Sequence, residues 1–143
     1  MGDLDVQISL RPLEVISVNN GDVLKALNKS DDTYKGFGEV YFSEIKHGRI
    51  KAWKKHTKMV MNIVVPVGKV KFVFFEKITG HFKEVIIGRD NYALLTVRPN
   101  IWFGFQGLSA GKNIVMNISN IVHDPKESIS LDQKKINYDW GIK

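Results

Sequence analysis

The densest chemistry in the chain lies in the run Lys46-His47-Gly48-Arg49-Ile50-Lys51-Ala52-Trp53-Lys54-Lys55-His56-Thr57-Lys58, where six of thirteen residues are Lys or Arg. A bland reading makes it a solvated edge strand, because Lys commonly protects sheet edges. A functional reading makes it an anion site, because a phosphate needs several donors that stay cationic at pH 7. In extended backbone, Lys54 and His56 fall on one face and Trp53 and Lys55 on the other. Imidazole changes charge near neutrality, so His56 is the first candidate for a base or acid. His47, His81 and His123 lie far from His56 and from one another, with no pair at ligand spacing. No protein-bound metal is therefore expected. The run Trp102-Phe103-Gly104-Phe105 follows Arg98-Pro99-Asn100 and reads as a core plug or a pocket wall. The chain lacks the Gly-x-Ser-x-Gly elbow and the glycine signatures of phosphate and dinucleotide loops.

Elements of period two must position these groups. Met59, Met61, Ile63 and Val65 alternate with Val60, Asn62 and Val64, and Val70, Phe72 and Phe74 alternate with Lys69, Lys71 and Val73. Pro66-Val67-Gly68-Lys69 between them predicts a hairpin turn. Further strands are expected at Leu13–Val18, Glu39–Ile45, Arg49–Lys54, Phe82–Ile87, Tyr92–Val97 and Asn113–Ser119, each bounded by turn residues. Eight or so short strands at near-regular spacing predict an all-β sandwich or barrel, with Met59, Met61, Ile63, Phe72, Phe74, Val97 and Ile114 buried. Several strands are apolar on both faces, so one face should line the barrel and the other should pack on a second sheet or a partner subunit. A short helix is expected at Asp22–Asn28, capped by Asp22, and a second within Ser128–Lys135. The first dozen residues and the tail after Trp140 are expected to be loose.

Composition narrows the class. The chain has 143 residues, 43% hydrophobic and 25% charged, which suits one globular domain spanning residues 1–143. With no cysteine, a disulfide scaffold, a thiolate metal site and a cysteine nucleophile are excluded. A net charge of +6 favours anionic partners. The absence of a long apolar run and of a signal-like start predicts a cytoplasmic protein with no membrane partner.

The order of the pieces is more specific than any one of them. Lys35-Gly36-Phe37 and Glu39-Val40-Tyr41-Phe42 precede the basic run; a turn at Gly68 follows it. Then come Val97-Arg98-Pro99-Asn100-Ile101-Trp102-Phe103-Gly104-Phe105, His123-Asp124-Pro125-Lys126-Glu127 and Tyr138-Asp139-Trp140. From about residue 32 to 140 this order resembles the dTDP-4-dehydrorhamnose 3,5-epimerase family and its shorter sugar-nucleotide relatives. The resemblance implies a cupin-type double-stranded β-helix, or jelly roll, assembled as a homodimer. It also implies cofactor-independent deprotonation beside the 4-keto group of a nucleotide-linked deoxyhexose and reprotonation on the other face. The family's base is a His backed by an Asp, and its acid is a Tyr.

This chain departs from that pattern at its centre. The usual base position holds Lys54, with His56 two residues on. Phe103-Gly104-Phe105 replaces a His-Gly-Phe triplet, and Val122-His123 stands where the acid Tyr is expected. Asp132 or Gln133 matches the Asp of the dyad. The resemblance thus implies His56 or Lys54 as base and His123 as acid. Lys35, Lys51 and Arg49 would hold the diphosphate, with Glu39, Trp53, Trp102 and Phe103 shaping the pocket. The leading expectation is an epimerase or isomerase of a 4-keto-6-deoxyhexose nucleotide, dTDP-linked, in deoxysugar or surface-polysaccharide synthesis. The alternative is a catalytically inert cupin that binds a sugar nucleotide or glycan. A nucleic-acid binder using the basic strand ranks third, because no RNA-binding signature is present and acids such as Glu39, Glu44 and Glu76 are spread among the strands.

Overall fold

The computed structural model describes residues 4–141. A four-residue helix, α1 (Leu4–Gln7), leads into β1 (Ile8–Pro12), β2 (Val15–Ile16), β3 (Val23–Leu24) and β4 (Glu39–Glu44). Next come β5 (Ile50–His56), β6 (Met61–Val67), β7 (Lys69–Glu76) and β8 (His81–Gly88). The chain continues through β9 (Ala93–Val97), β10 (Trp102–Gly107), β11 (Ile114–Ser119) and β12 (Ser128–Ser130). Two five-stranded antiparallel sheets result, one ordered β1-β9-β6-β11-β4 and the other β12-β5-β10-β7-β8. Apart from β7 and β8, which are neighbours in one sheet, successive strands from β4 to β12 alternate between the sheets. That alternation is the jelly-roll winding.

Alternation along each strand supplies the shared core. Met61, Ile63 and Val65 of β6 meet Phe72 and Phe74 of β7, with Leu95, Val97 and Phe103 completing the layer. The second apolar face of β7 is covered by the chain itself, because Val73 and Phe75 pack with Trp53, Trp102, Ile136, Tyr138 and Trp140. The expected second layer therefore exists, and the C-terminal segment forms it on this side. Trp53 Nε1 donates to the Gln133 carbonyl at 3.1 Å, which ties that segment to β5.

Local expectations fail where long-range pairing wins. The turn at Gly68 is not a hairpin, because β6 and β7 pair in different sheets and the chain crosses between layers there. Gly68 has φ +82°, and a Cβ on it would lie 2.4 Å from the Lys112 carbonyl oxygen. The corner is held by Asn113, 1% exposed, which accepts from the Lys69 and Ser109 main-chain N–H groups and donates to the Ile45 and Ser109 carbonyls.

The segment predicted as a helix at Asp22–Asn28 instead contains β3, paired with β2, and Asp22 accepts from the Val18 N–H. Ser128–Lys135 divides into β12, paired with β5, and a single 3-10 turn at Gln133–Lys135. Within the first dozen residues, Ile8–Pro12 is fixed by pairing with β9. Gly141 is the last described residue of the tail, and residues 142–143 lie outside the description. Ile114 is only half-buried, because β11 turns Val115, Asn117 and Ser119 inward. The Trp102–Phe105 run is a central strand, β10, between β5 and β7.

Candidate active site

Between the sheets lies a cleft of about 440 Å³, within the range of small-molecule sites. One wall carries Tyr41, Ser43, Met61, Ile63, Val115 and Asn117, and the other carries Lys51, Lys54, His56, Phe72, Phe103 and Phe105. Ser130 and Leu131 close one side.

A register shift decides which cations reach this cleft. Phe103 pairs with Lys54, but Gly104 pairs with Ala52 and Phe105 with Lys51, so Trp53 is an extra residue in β5. Such a bulge lets two neighbours share a face. Ala52 and the Trp53 ring both pack into the outer aromatic layer, while Lys51, Lys54 and His56 all line the cleft. Strict alternation would have turned Lys51 away from the other two. Gly104 is needed opposite the bulge, because a Cβ there would lie 2.5 Å from Ala52 Cβ.

His56 is the buried polar centre of the cationic wall. Its Nδ1 lies 2.8 Å from Glu127 Oε1, and the two side chains are 8% and 2% exposed. The other carboxylate oxygen accepts from the Lys58 and Met59 main-chain N–H groups at 3.0 and 2.9 Å. Burial pushes the Glu127 carboxyl up, but the Lys58 N–H, the His56 ring and the Met59 N–H together hold it below the usual carboxylate value. An ionised Glu127 is acceptor only, so His56 carries its proton on Nδ1 and presents a lone pair at Nε2. Nε2 has no hydrogen-bond partner among the described residues and is not sealed from solvent. The ring stacks on Phe103, with centroids 5.9 Å apart. Lys54 is exposed, and its ammonium has no hydrogen-bond or ion-pair partner among the described residues. Lys51 Nζ donates to the Glu44 carbonyl at 2.8 Å. The arrangement is an oriented base beside two cations. It can remove a weakly acidic proton and stabilise the resulting anion.

Of the residues singled out in the sequence, the fold brings Lys51, Lys54, His56 and Phe103 together. Trp53 contributes to the cleft wall, but its ring packs against Trp140 at 5.4 Å on the outer side. Trp102 also faces outward, with Lys55 Nζ 5.1 Å from its ring. Arg49 is exposed in the turn before β5. Lys35 lines a separate cleft with Thr33, Thr96 and Arg98. Glu39 accepts from the main-chain N–H of His123, which is exposed on its loop, and neither lines the main cleft. Asp132 is not the partner of His56; it caps the 3-10 turn by accepting from the Lys134 N–H. Glu127, Tyr41 and Asn117 were missed. The available signal for Asn117 was its place, with Ser119, on the inward parity of an otherwise apolar strand. Glu127 sits on a loop with no periodicity to point to it. Among the described residues, no group of three His, Asp or Glu side chains could hold a metal ion. No helix among them is long and apolar enough to cross a membrane.

A jelly roll whose interior opens into a cleft with a buried His–carboxylate pair is a cupin built for a small ligand. No protein-family model matches the chain. A crystal structure of a dTDP sugar isomerase from Desulfovibrio desulfuricans is similar at a TM-score of 0.89 and 34% identity, over 95% of this chain and 92% of that one. The sugar 3,4-ketoisomerase QdtA of Thermoanaerobacterium thermosaccharolyticum, crystallised with TDP, shares the fold at a TM-score of 0.74 and 17% identity, over 94% of this chain and 90% of its own. A Haloferax volcanii protein named "Probable low-salt glycan biosynthesis epimerase" is 22% identical over 92% of this chain and 87% of its own length. The chain belongs to the family of dTDP sugar isomerases and 3,5-epimerases.

Proposed function

We propose that this protein is an isomerase or epimerase of a dTDP-linked 4-keto-6-deoxyhexose, working as a cytoplasmic homodimer in deoxysugar or glycan synthesis. The buried His56–Glu127 pair carries this reading, because an inert binding cupin has no need of an oriented, unpartnered imidazole nitrogen in its cleft. His56 Nε2 takes the proton from a carbon next to the ketone, and the electron pair moves onto the ketone oxygen as an enolate. Glu127 stabilises the imidazolium that forms. The Lys54 ammonium lies on the same face and offsets the enolate charge, while Lys51 serves the diphosphate. Phe103 holds the imidazole plane and keeps water from its face. Because the ketone already acidifies the neighbouring C–H, the chain's own groups suffice for proton movement.

The test is deuterium wash-in, read by NMR. Incubation with dTDP-4-keto-6-deoxyglucose in deuterated water should place deuterium at C3 or C5. Binding of that sugar with no deuterium uptake would instead identify an inert binding cupin.

A further inference from the structure

The bulge that turns Lys51 into the cleft needs something to hold it. On the β10 side the extra residue, Trp53, has no partner in register, since Lys54 pairs with Phe103 and Ala52 with Gly104. The C-terminal segment takes up its polar groups on the other side. The Trp53 main-chain N–H donates to the Leu131 carbonyl at 3.0 Å, and the Leu131 N–H donates back at 2.9 Å. The indole N–H donates to the Gln133 carbonyl at 3.1 Å. An indole lying on the outer face of a sheet also needs apolar cover, and the same segment supplies it. Ile136, Tyr138 and Trp140 alternate inward along the tail and form one apolar cluster with Trp53, which is 1% exposed. Lys71 Nζ, on β7, lies 5.7 Å from the Tyr138 ring and 5.6 Å from the Trp140 ring, which fixes the end of the tail across the sheet.

A regular β5 would set Trp53 opposite Gly104. The indole would keep its outward place, but Ala52 would turn into the cleft and Lys51 out of it. His56 stands outside this exchange, because it lies beyond the bulge, where Glu127 and the pairing of Lys54 with Phe103 hold the strand. Resting on the reading of Lys51 as the cation for the diphosphate, we infer that the C-terminal tail is a positioning element, with Trp140 its positioning residue. By covering Trp53 it maintains the β5 bulge, and so it decides whether Lys51 reaches the nucleotide. Nucleotide affinity and proton removal are then set by separate contacts. The outer aromatic layer governs Lys51, and Glu127 governs His56.

Two readouts on the full chain separate these roles: dTDP affinity by calorimetry, and deuterium wash-in at saturating dTDP-4-keto-6-deoxyglucose. Trp140→Ala should weaken dTDP binding ~10-fold or more, the scale of one lost charge-assisted contact, while saturated wash-in stays within ~3-fold of wild type. Trp140→Phe should restore the affinity. Lys51→Met should weaken dTDP binding to the same degree, and adding Trp140→Ala to it should weaken it no further. A folded Trp140→Ala variant with wild-type dTDP affinity would overturn the inference. So would additive losses in the double variant, or a fall in wash-in equal to the loss of affinity, since general loosening would then account for both. Where the alanine variant does not fold, Trp140→Leu, which fills only part of the indole's space, carries the same expected split and the same refutations. Wild-type protein that binds no dTDP would fail the reading of the cleft itself, a distinct result.

Discussion

Replacing Glu127 by Gln should leave the protein folded and disable it. The carboxylate takes the His56 Nδ1 proton on one oxygen and two main-chain N–H groups, from Lys58 and Met59, on the other. A glutamine keeps the shape. Its carbonyl oxygen can continue to accept from the two N–H groups, which would otherwise be stranded. Its amide NH2 then faces Nδ1, and the imidazole must accept there and carry its proton on Nε2. That is the wrong tautomer for a base. Stability should drop by only about 1 kcal/mol, the difference between a charge-assisted and a neutral hydrogen bond. Exchange should fall far more, by ~10²-fold or greater, since the same tautomer inversion in a hydrolytic triad is worth about 10⁴. Urea midpoints and deuterium wash-in on the same samples give both numbers. A Gln variant exchanging within ~3-fold of wild type would refute the tautomer argument.

The acid side follows from the same carboxylate: its folded pKa is lowered, so its contribution is present above the unfolded value of about 4.3 and is lost as pH falls through the folded one. The urea-midpoint gap between wild type and Glu127→Gln should accordingly shrink below about pH 4. Lys54→Met, on an exposed side chain, should change stability by less than about 0.5 kcal/mol yet slow exchange, and an unaltered rate would remove Lys54 from enolate stabilisation. Trp53→Ala should cost about 3–5 kcal/mol by emptying the outer aromatic layer, whereas a stable variant with weakened nucleotide binding would mean that the ring faces the ligand. A dTDP-sugar at ~100 times its Kd should add ~2.7 kcal/mol to unfolding, and no thermal shift with any nucleotide sugar would contradict the ligand class.

Most strands were legible because burial on alternating sides imposes period two locally, as in Met61, Ile63 and Val65. Which sheet each strand joins was not legible. The turn at Gly68 looks like a hairpin in sequence, and only the pairing of β6 with β9 and β11 shows that the chain changes layer there. β10 was not among the expected strands: its run read only as a core plug or a pocket wall, and nothing local shows that Gly104 within it is required opposite the β5 bulge. His56 could be chosen from its residue type and neighbours. Its carboxylate could not, because Glu127 lies seventy-one positions away and reaches His56 only after β12 docks on β5. The bulge at Trp53 was not legible either; it puts Lys51 on the face of Lys54 and His56, where strict alternation would have turned it away.

The central claim is that His56, held by Glu127, is the group that removes a carbon-bound proton. The direct measurement is the initial rate of deuterium entry into saturating dTDP-4-keto-6-deoxyglucose, compared between wild type and His56→Asn at pH 7. The account predicts a fall of ~10²-fold or more with nucleotide binding intact. Equal rates in the two proteins would contradict it and would pass the role of base to another residue of the cleft.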